Sequence, residues 1–182
     1  MIPDVPFPRK LMPKIDERPP DRLSEDEVKR VLALPEPYGF VIRFGLLTGL
    51  RWGEMCRAQA SDVQGGALLV HKTKSHKLRR VPLDPALGGE LRRRAWRLFP
   101  FSRNSSGSFN RTVRRLIGLP RFHAHQLRHT FACRYLELGG TLASLQEILG
   151  HKEVATTQRY ARLAEGFVRA EAAEVLARMM SA

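Results

Sequence analysis

The chain has 182 residues, 43% of them apolar, enough for one domain of ordinary size with a core of its own. Its 31 Lys and Arg against 18 Asp and Glu leave a net charge of +13, an excess that points to a polyanionic partner, nucleic acid ahead of an anionic membrane surface. No apolar run approaches the roughly 18 residues of a membrane-spanning helix, MIPDVPFPRK has no apolar leader core, and two cysteines, Cys56 and Cys133, make neither a disulfide framework nor a metal motif; a cytoplasmic protein with reduced thiols is expected.

Residues 3–20 carry six prolines and few apolar residues, which suits an extended arm or linker over 1–21. The compact domain, 22–182, opens with LSEDEVKRVLAL. There Ser24 is a good N-cap, Glu27 completes a capping box, Leu23 and Val28 can staple the start, and Val28, Val31 and Leu32 give an apolar face. YGFVIRFGLLTGL spaces Phe40, Val41, Phe44 and Leu47 as a second helix ended by Gly49, and RWGEMCRA makes a short third. GGALLVHKTKSHKLRRVPL reads as two short strands around a basic turn, with Pro82 closing the second strand. Helical patterns return in LGGELRRRAWRLF, SFNRTVRRLIG, HAHQLRHTFACRYLELG, TLASLQEILG, EVATTQRYARL and FVRAEAAEVLARMM, while SRNSSGS, 102–108, reads as a polar loop. The fold class is therefore mainly α with a small antiparallel β-hairpin or sheet, an α+β arrangement.

Four stretches hold residues that can do chemistry. In HAHQLRHTFACRYL, Leu127, Phe131, Tyr135 and Leu138 line an apolar face, while His125, Arg128 and His129 share another at i, i+3 and i+4. An arginine fork beside histidines can bind a phosphate, and the same spacing also describes a solvated basic face. Arg51 follows a helix end with Glu54 three residues on. That acid can orient the guanidinium and leave part of its fork open, or the two can be a surface ion pair. Lys72, Lys74 and Lys77 crowd the hairpin turn, from which a lysine can reach a groove or a scissile phosphate; generic backbone contact describes at least two of them. Gly150 allows a sharp turn before His151, which leads a short helix bearing Tyr160. A tyrosine met alone is far more often a packing residue than a nucleophile.

In combination these stretches read differently. An arginine after TGL, a lysine in a hairpin, HxxR on a helix, GH, and a tyrosine nine residues later follow in order. At HxLRHTFA, LGH and the tyrosine spacing, the chain resembles the tyrosine recombinase, or phage integrase, family over about residues 22–164. The resemblance implies the tyrosine recombinase catalytic-domain fold and a site-specific DNA recombinase that cleaves and rejoins double-stranded DNA. Arg51 and Arg128 then bind the scissile phosphate, His151 joins them, His125 assists proton movement, and Lys74 is the general acid, with Lys72 as runner-up. Tyr160 is the nucleophile, forming a 3′-phosphotyrosyl bond and a free 5′-hydroxyl. Glu54 and His129 match supporting positions. No metal, cofactor or small-molecule substrate is implied.

A C-terminal helix, 166–180, docks on a neighbouring protomer of a tetramer or packs on its own domain. The N-terminal core-binding domain usual in the family is expected to be absent, and Ala60 stands where the family often has a large aromatic. The rest of the positive charge suits DNA binding. A basic run assigned to positions 91–93, which takes in Arg92 and Arg93 and is continued by residue 94, and a second cluster of Arg111, Arg114 and Arg115 are expected to meet phosphates with Lys72 and Lys77, or to form solvated basic faces.

The chemistry explains why a tyrosine needs such company. With a pKa of about 10, roughly one phenol in 10³ is ionised at pH 7, a cost of roughly 4 kcal/mol that nearby cationic or basic groups must offset.

Overall fold

Ser24 opens the first helix through a capping box: its Oγ accepts from the Glu27 N–H, and Glu27 Oε2 accepts from the Ser24 N–H. The computed structural model describes residues 21–71, 78–94, 98–150, 160 and 179. The expected proline-rich arm, the lysines of the hairpin turn, His151 and most of the two C-terminal helices lie outside those residues. Helix α1 (Glu25–Leu32) buries Val28 and Val31, with Leu23 beside them, whereas Leu32 is partly exposed.

Helix α2 (Tyr38–Thr48) is buried almost all round, with Phe40, Val41, Ile42 and Phe44 fully covered and Leu47, on its last turn, half exposed. It packs on the helix formed by His125–Glu137 so closely that a Cβ on Gly45 would lie 2.8 Å from Leu127 Cδ1. Gly49 ends α2 in the left-handed conformation (φ +61°), its N–H donating to the Gly45 carbonyl. The turn it makes delivers Arg51 to the start of α3 (Trp52–Met55).

The sheet has three antiparallel strands in the order β1 (Val63–Gln64), β2 (Ala67–His71), β3 (Leu78–Pro82). The hairpin was expected; β1 was not, because two residues are too short to show a period. It exists because Gly65 and Gly66, both at positive φ, fold the chain back so that Val63 pairs with Leu68. Along β3 exposure alternates strictly, so Arg79 and Val81 both face inward while Leu78 and Arg80 face out. A guanidinium on the inner face needs a partner there.

Asp84 caps α4 (Pro85–Arg93), accepting from the Ala86 and Leu87 N–H groups. Position 91 of the expected basic run is Leu91, fully buried one turn beyond Leu87, so the arginines are Arg92, Arg93 and Arg94. The stretch 102–108 is no loop. Arg103–Ser105 forms a 3₁₀ turn that runs directly into α5 (Ser106–Ile117), with serine hydroxyls of Ser105 and Ser108 donating to the carbonyls three residues back. Helix α6 (His125–Glu137) buries Leu127, Ala132, Cys133 and Leu136, and polar Gln126, Arg128 and Thr130 as well. Leu138, expected on its apolar face, is the C-cap residue and 86% exposed. Helix α7 (Leu142–Leu149), capped by Thr141 and ended by Gly150 at φ +64°, lies against β3 and α6. No helix among the described residues is long and apolar enough to cross a membrane.

Gly49→Ala tests how tightly the turn before Arg51 is built. Its Cβ would stand 2.4 Å from Phe131 Cδ1 at a positive φ. Left-handed strain and overpacking together predict a loss of roughly 2–4 kcal/mol in urea unfolding, and an unchanged midpoint would contradict the packing described.

Candidate active site

Arg51 is the N-cap residue of α3, in extended conformation, and Glu54 is the third residue of that helix. The geometry turns the Glu54 carboxylate back, where Oε2 accepts from the Arg51 N–H at 2.9 Å. Its main partner comes from the sheet. The inward-facing Arg79 grips both oxygens, Nη1 to Oε1 at 3.0 Å and Nη2 to Oε2 at 2.9 Å. By comparison Arg51 reaches the carboxylate through Nη1 alone, at 3.3 Å. The Arg79 and Glu54 side chains are 8% and 10% exposed, that of Arg51 43%. The fork is therefore buried, and Arg51 stands at its mouth with its guanidinium reachable from solvent.

Arg128, on α6, is buried among backbone carbonyls: Nη1 donates to Gly49 O at 2.7 Å and Nη2 to Leu149 O at 2.8 Å. Arg79 Nε donates to Ile148 O at 2.8 Å. Two guanidiniums thus take two successive carbonyls at the C-terminal end of α7, groups that a helix leaves unpaired and whose dipole favours cations.

Electrostatics follow from this packing. Burial by itself would raise the Glu54 carboxyl, but the Arg79 fork and charge, with the N–H and charge of Arg51, override it and hold the group down at about 2. Burial, then the charge of Arg51 and also that of Arg79, pushes Arg128 down to about 9, against the pull of Glu54 and Tyr160. It stays cationic at neutral pH. Among the described residues two guanidiniums bond this carboxylate and a third, Arg128, feels its charge, which leaves a local excess of positive charge suited to an anion.

The histidines lead from there to the tyrosine. His125, exposed at the start of α6, meets the His129 ring edge-on, with centroids 4.7 Å apart. His129 Nδ1 lies 2.6 Å from the Tyr160 hydroxyl. The Tyr160 ring, 2% exposed, packs with Ala132, Cys133 and Leu136 of α6 and Leu145 and Leu149 of α7. Tyr160 is thus a core residue along its ring, with its hydroxyl among the polar groups of α6. The structure brings together Arg51, Glu54, His125, Arg128, His129 and Tyr160. It does not leave His125, Arg128 and His129 on one solvated face, since Arg128 is turned into the protein. Lys72, Lys74, Lys77 and His151 lie outside the described residues.

Arg79 was not among the expected site residues. A signal for it existed: in LRRVP, Val81 is an inward position, and strand alternation puts residue 79 on the same side. Of the arginines expected on DNA, Arg92, Arg93, Arg111, Arg114 and Arg115 are exposed, Arg114 also donating through Nε to Phe122 O at 2.7 Å. Arg94 differs, lying 3.5 Å over the Phe40 ring and pairing with Glu90 at 2.7 Å.

A helical domain with a three-stranded antiparallel sheet, in which strand, central helix and helix end converge on an arginine-lined site, has the architecture of tyrosine recombinase catalytic domains. The chain belongs to the phage integrase family, whose sequence model matches residues 21–166. It is 38% identical over 149 residues to the integrase of Haemophilus phage HP1, covering 78% of this chain and 43% of that one. With tyrosine recombinase XerA of Pyrococcus furiosus it shares 33% identity over 173 residues, 83% of this chain and 60% of the other. The solved catalytic domain of bacteriophage HP1 integrase superposes with a TM-score of 0.68 at 35% identity, over 81% of this chain and 90% of that domain. The chain spans about half the length of the curated relatives it matches.

The depressed Glu54 carboxyl predicts a pH signature. A folded value of about 2 lies below the ordinary 4.5, so the stability it contributes is present above about pH 4.5 and is lost as pH falls towards 2. Urea unfolding should show Glu54→Gln less stable than the native chain at neutral pH, by on the order of 3 kcal/mol, with the gap closing in acid. A gap independent of pH would mean that the carboxylate is not held as described.

Proposed function

We propose that this domain is the catalytic part of a site-specific DNA recombinase, acting in the cytoplasm on double-stranded DNA through a 3′-phosphotyrosyl intermediate on Tyr160. The observation that carries this reading is the Tyr160 hydroxyl held 2.6 Å from His129, one residue along α6 from the buried Arg128. Family membership, the net charge of +13 and the exposed arginines of α4 and α5 support a DNA partner.

The steps follow from the groups. Arg51 and Arg128 hold the non-bridging oxygens of the scissile phosphate, and His151 adds a hydrogen bond. By analogy with other oxyanion sites, each such donor contributes about 3–4 kcal/mol as charge gathers on those oxygens. DNA binding uncovers the Tyr160 hydroxyl. Its oxygen attacks phosphorus in line, forming the tyrosyl P–O bond as the P–O5′ bond breaks. The phenol proton passes to His129 Nδ1, in the tautomer that leaves that nitrogen bare, with His125 assisting; Lys74 protonates the departing 5′ oxygen. A 5′-hydroxyl from a second duplex then attacks the same phosphorus, giving its proton to Lys74 as the new P–O5′ bond forms, while the tyrosyl P–O bond breaks and His129 returns a proton to Tyr160. One phosphodiester replaces another at each step, so no energy source is required. Arg92, Arg93, Arg111, Arg114 and Arg115 position the duplex through its phosphates. Helix 166–180 joins protomers into a tetramer on DNA.

A nicked suicide duplex tests this. The short fragment carrying the new 5′-hydroxyl diffuses away after cleavage and leaves the protein covalently attached to the 3′-phosphate. The native chain should form the adduct, Tyr160→Phe should bind DNA without forming it, and Arg128→Ala should slow it by about 10²–10³-fold. Binding without any adduct in the native chain would make the domain a binding module.

A further inference from the structure

Within the proposed cleavage site, Arg79 occupies a place that none of the expected roles covers. It belongs to β3, paired across from Val70, and its side chain is 8% exposed. Both Glu54 oxygens are taken by its Nη1 and Nη2. Its third nitrogen, Nε, donates to Ile148 O. The fit is tight enough that a Cβ on Gly150, the residue before His151, would lie 2.9 Å from Arg79 Cδ. One side chain therefore ties the sheet, the start of α3 and the end of α7 together.

The competition for Glu54 matters most. Glu54 sits three residues from Arg51, with an oxygen already 3.3 Å from Arg51 Nη1. A buried carboxylate without Arg79 would be short of positive charge, and the nearest fork able to supply it is that of Arg51. A bidentate Arg51–Glu54 pair would withdraw the donors that the proposed phosphate needs. We propose that Arg79 is a positioning residue, which saturates Glu54 so that the Arg51 guanidinium stays available to the scissile phosphate and which fastens the end of α7 to the same carboxylate. The inference rests on the strand-cleavage reading above. It adds that Arg51 works only while Arg79 engages the acid beside it.

Adduct formation on the nicked suicide duplex is the measurement, made at saturating DNA, with Arg79→Met, Arg79→Lys, Glu54→Gln and the Arg79→Met/Glu54→Gln double variant. Arg79→Met should slow the covalent step by about 10–100-fold, the scale of a misplaced reacting group. The double variant should recover several-fold over Arg79→Met, because a neutral amide no longer captures Arg51. A purely structural role predicts the reverse, two losses that add. If Arg79→Met does not fold, Arg79→Lys decides, since it keeps the charge and loses the fork: a clear slowing supports the proposal, and an unchanged rate overturns it. A double variant no faster than a folded Arg79→Met, or an Arg79→Met as fast as the native chain, also overturns it. Failure of the underlying cleavage reading is distinguishable, because the native chain itself would then form no adduct.

Discussion

One buried carboxylate, that of Glu54, organises the charges of this domain. Removing it from water is unfavourable unless cations meet it, and two arginines do so from different elements, Arg79 from β3 and Arg51 from α3. Arg128 stands close enough to feel both the carboxylate and the other guanidiniums. With three cations to one anion among the described residues, the cluster carries an excess of positive charge. The backbone carbonyls of Gly49, Ile148 and Leu149 absorb part of the excess, by hydrogen bonds rather than by charge. What remains is a positive site whose charges are fixed by the fold itself, the arrangement that the proposed phosphate contact would use.

The end of α7 is where fold and chemistry meet. A helix C-terminus carries unpaired carbonyls and partial negative charge, and here buried guanidiniums satisfy two of those carbonyls. The same bonds that stabilise α7 therefore hold Arg79 and Arg128 in place, and Gly150 leaves room for Arg79 beside them. Stability and site geometry are coupled because they use the same donors.

Tyr160 answers two demands with one side chain. Its ring fills the seam between α6 and α7, and its hydroxyl meets His129. Burial fixes where the oxygen lies; it also covers that oxygen, at 2% exposure of the residue. In the proposed reaction, DNA therefore has to do more than dock: it must expose the nucleophile. The asymmetry among the arginines is consistent with this, since Arg51 alone of the three is substantially exposed, while Arg79 and Arg128 are set in the interior.

Local patterns in the chain determined a good deal. The Ser24–Glu27 box, the glycine stops at Gly49 and Gly150, the paired strands of the hairpin and the helical periods of α1, α2, α6 and α7 depend on neighbours a few residues apart, and these formed where the spacing put them. Arg51, Glu54, His125, Arg128, His129 and Tyr160 could be named because their order along the chain matches a family pattern. Periodicity was misleading at element ends: Leu47 and Leu138 keep the spacing of a buried face, yet the helices finish beside them and leave them exposed. The tertiary structure alone decided how the charges divide. Glu54 is gripped by a residue 25 positions away, and Arg128 donates from Nη1 and Nη2 to carbonyls 79 and 21 positions away. Partner choice over such distances is set by which elements pack together and by which polar groups that packing removes from water. A linear sequence records the side chains present, and the cost of burying an unpaired charge selects among them only once the chain has folded.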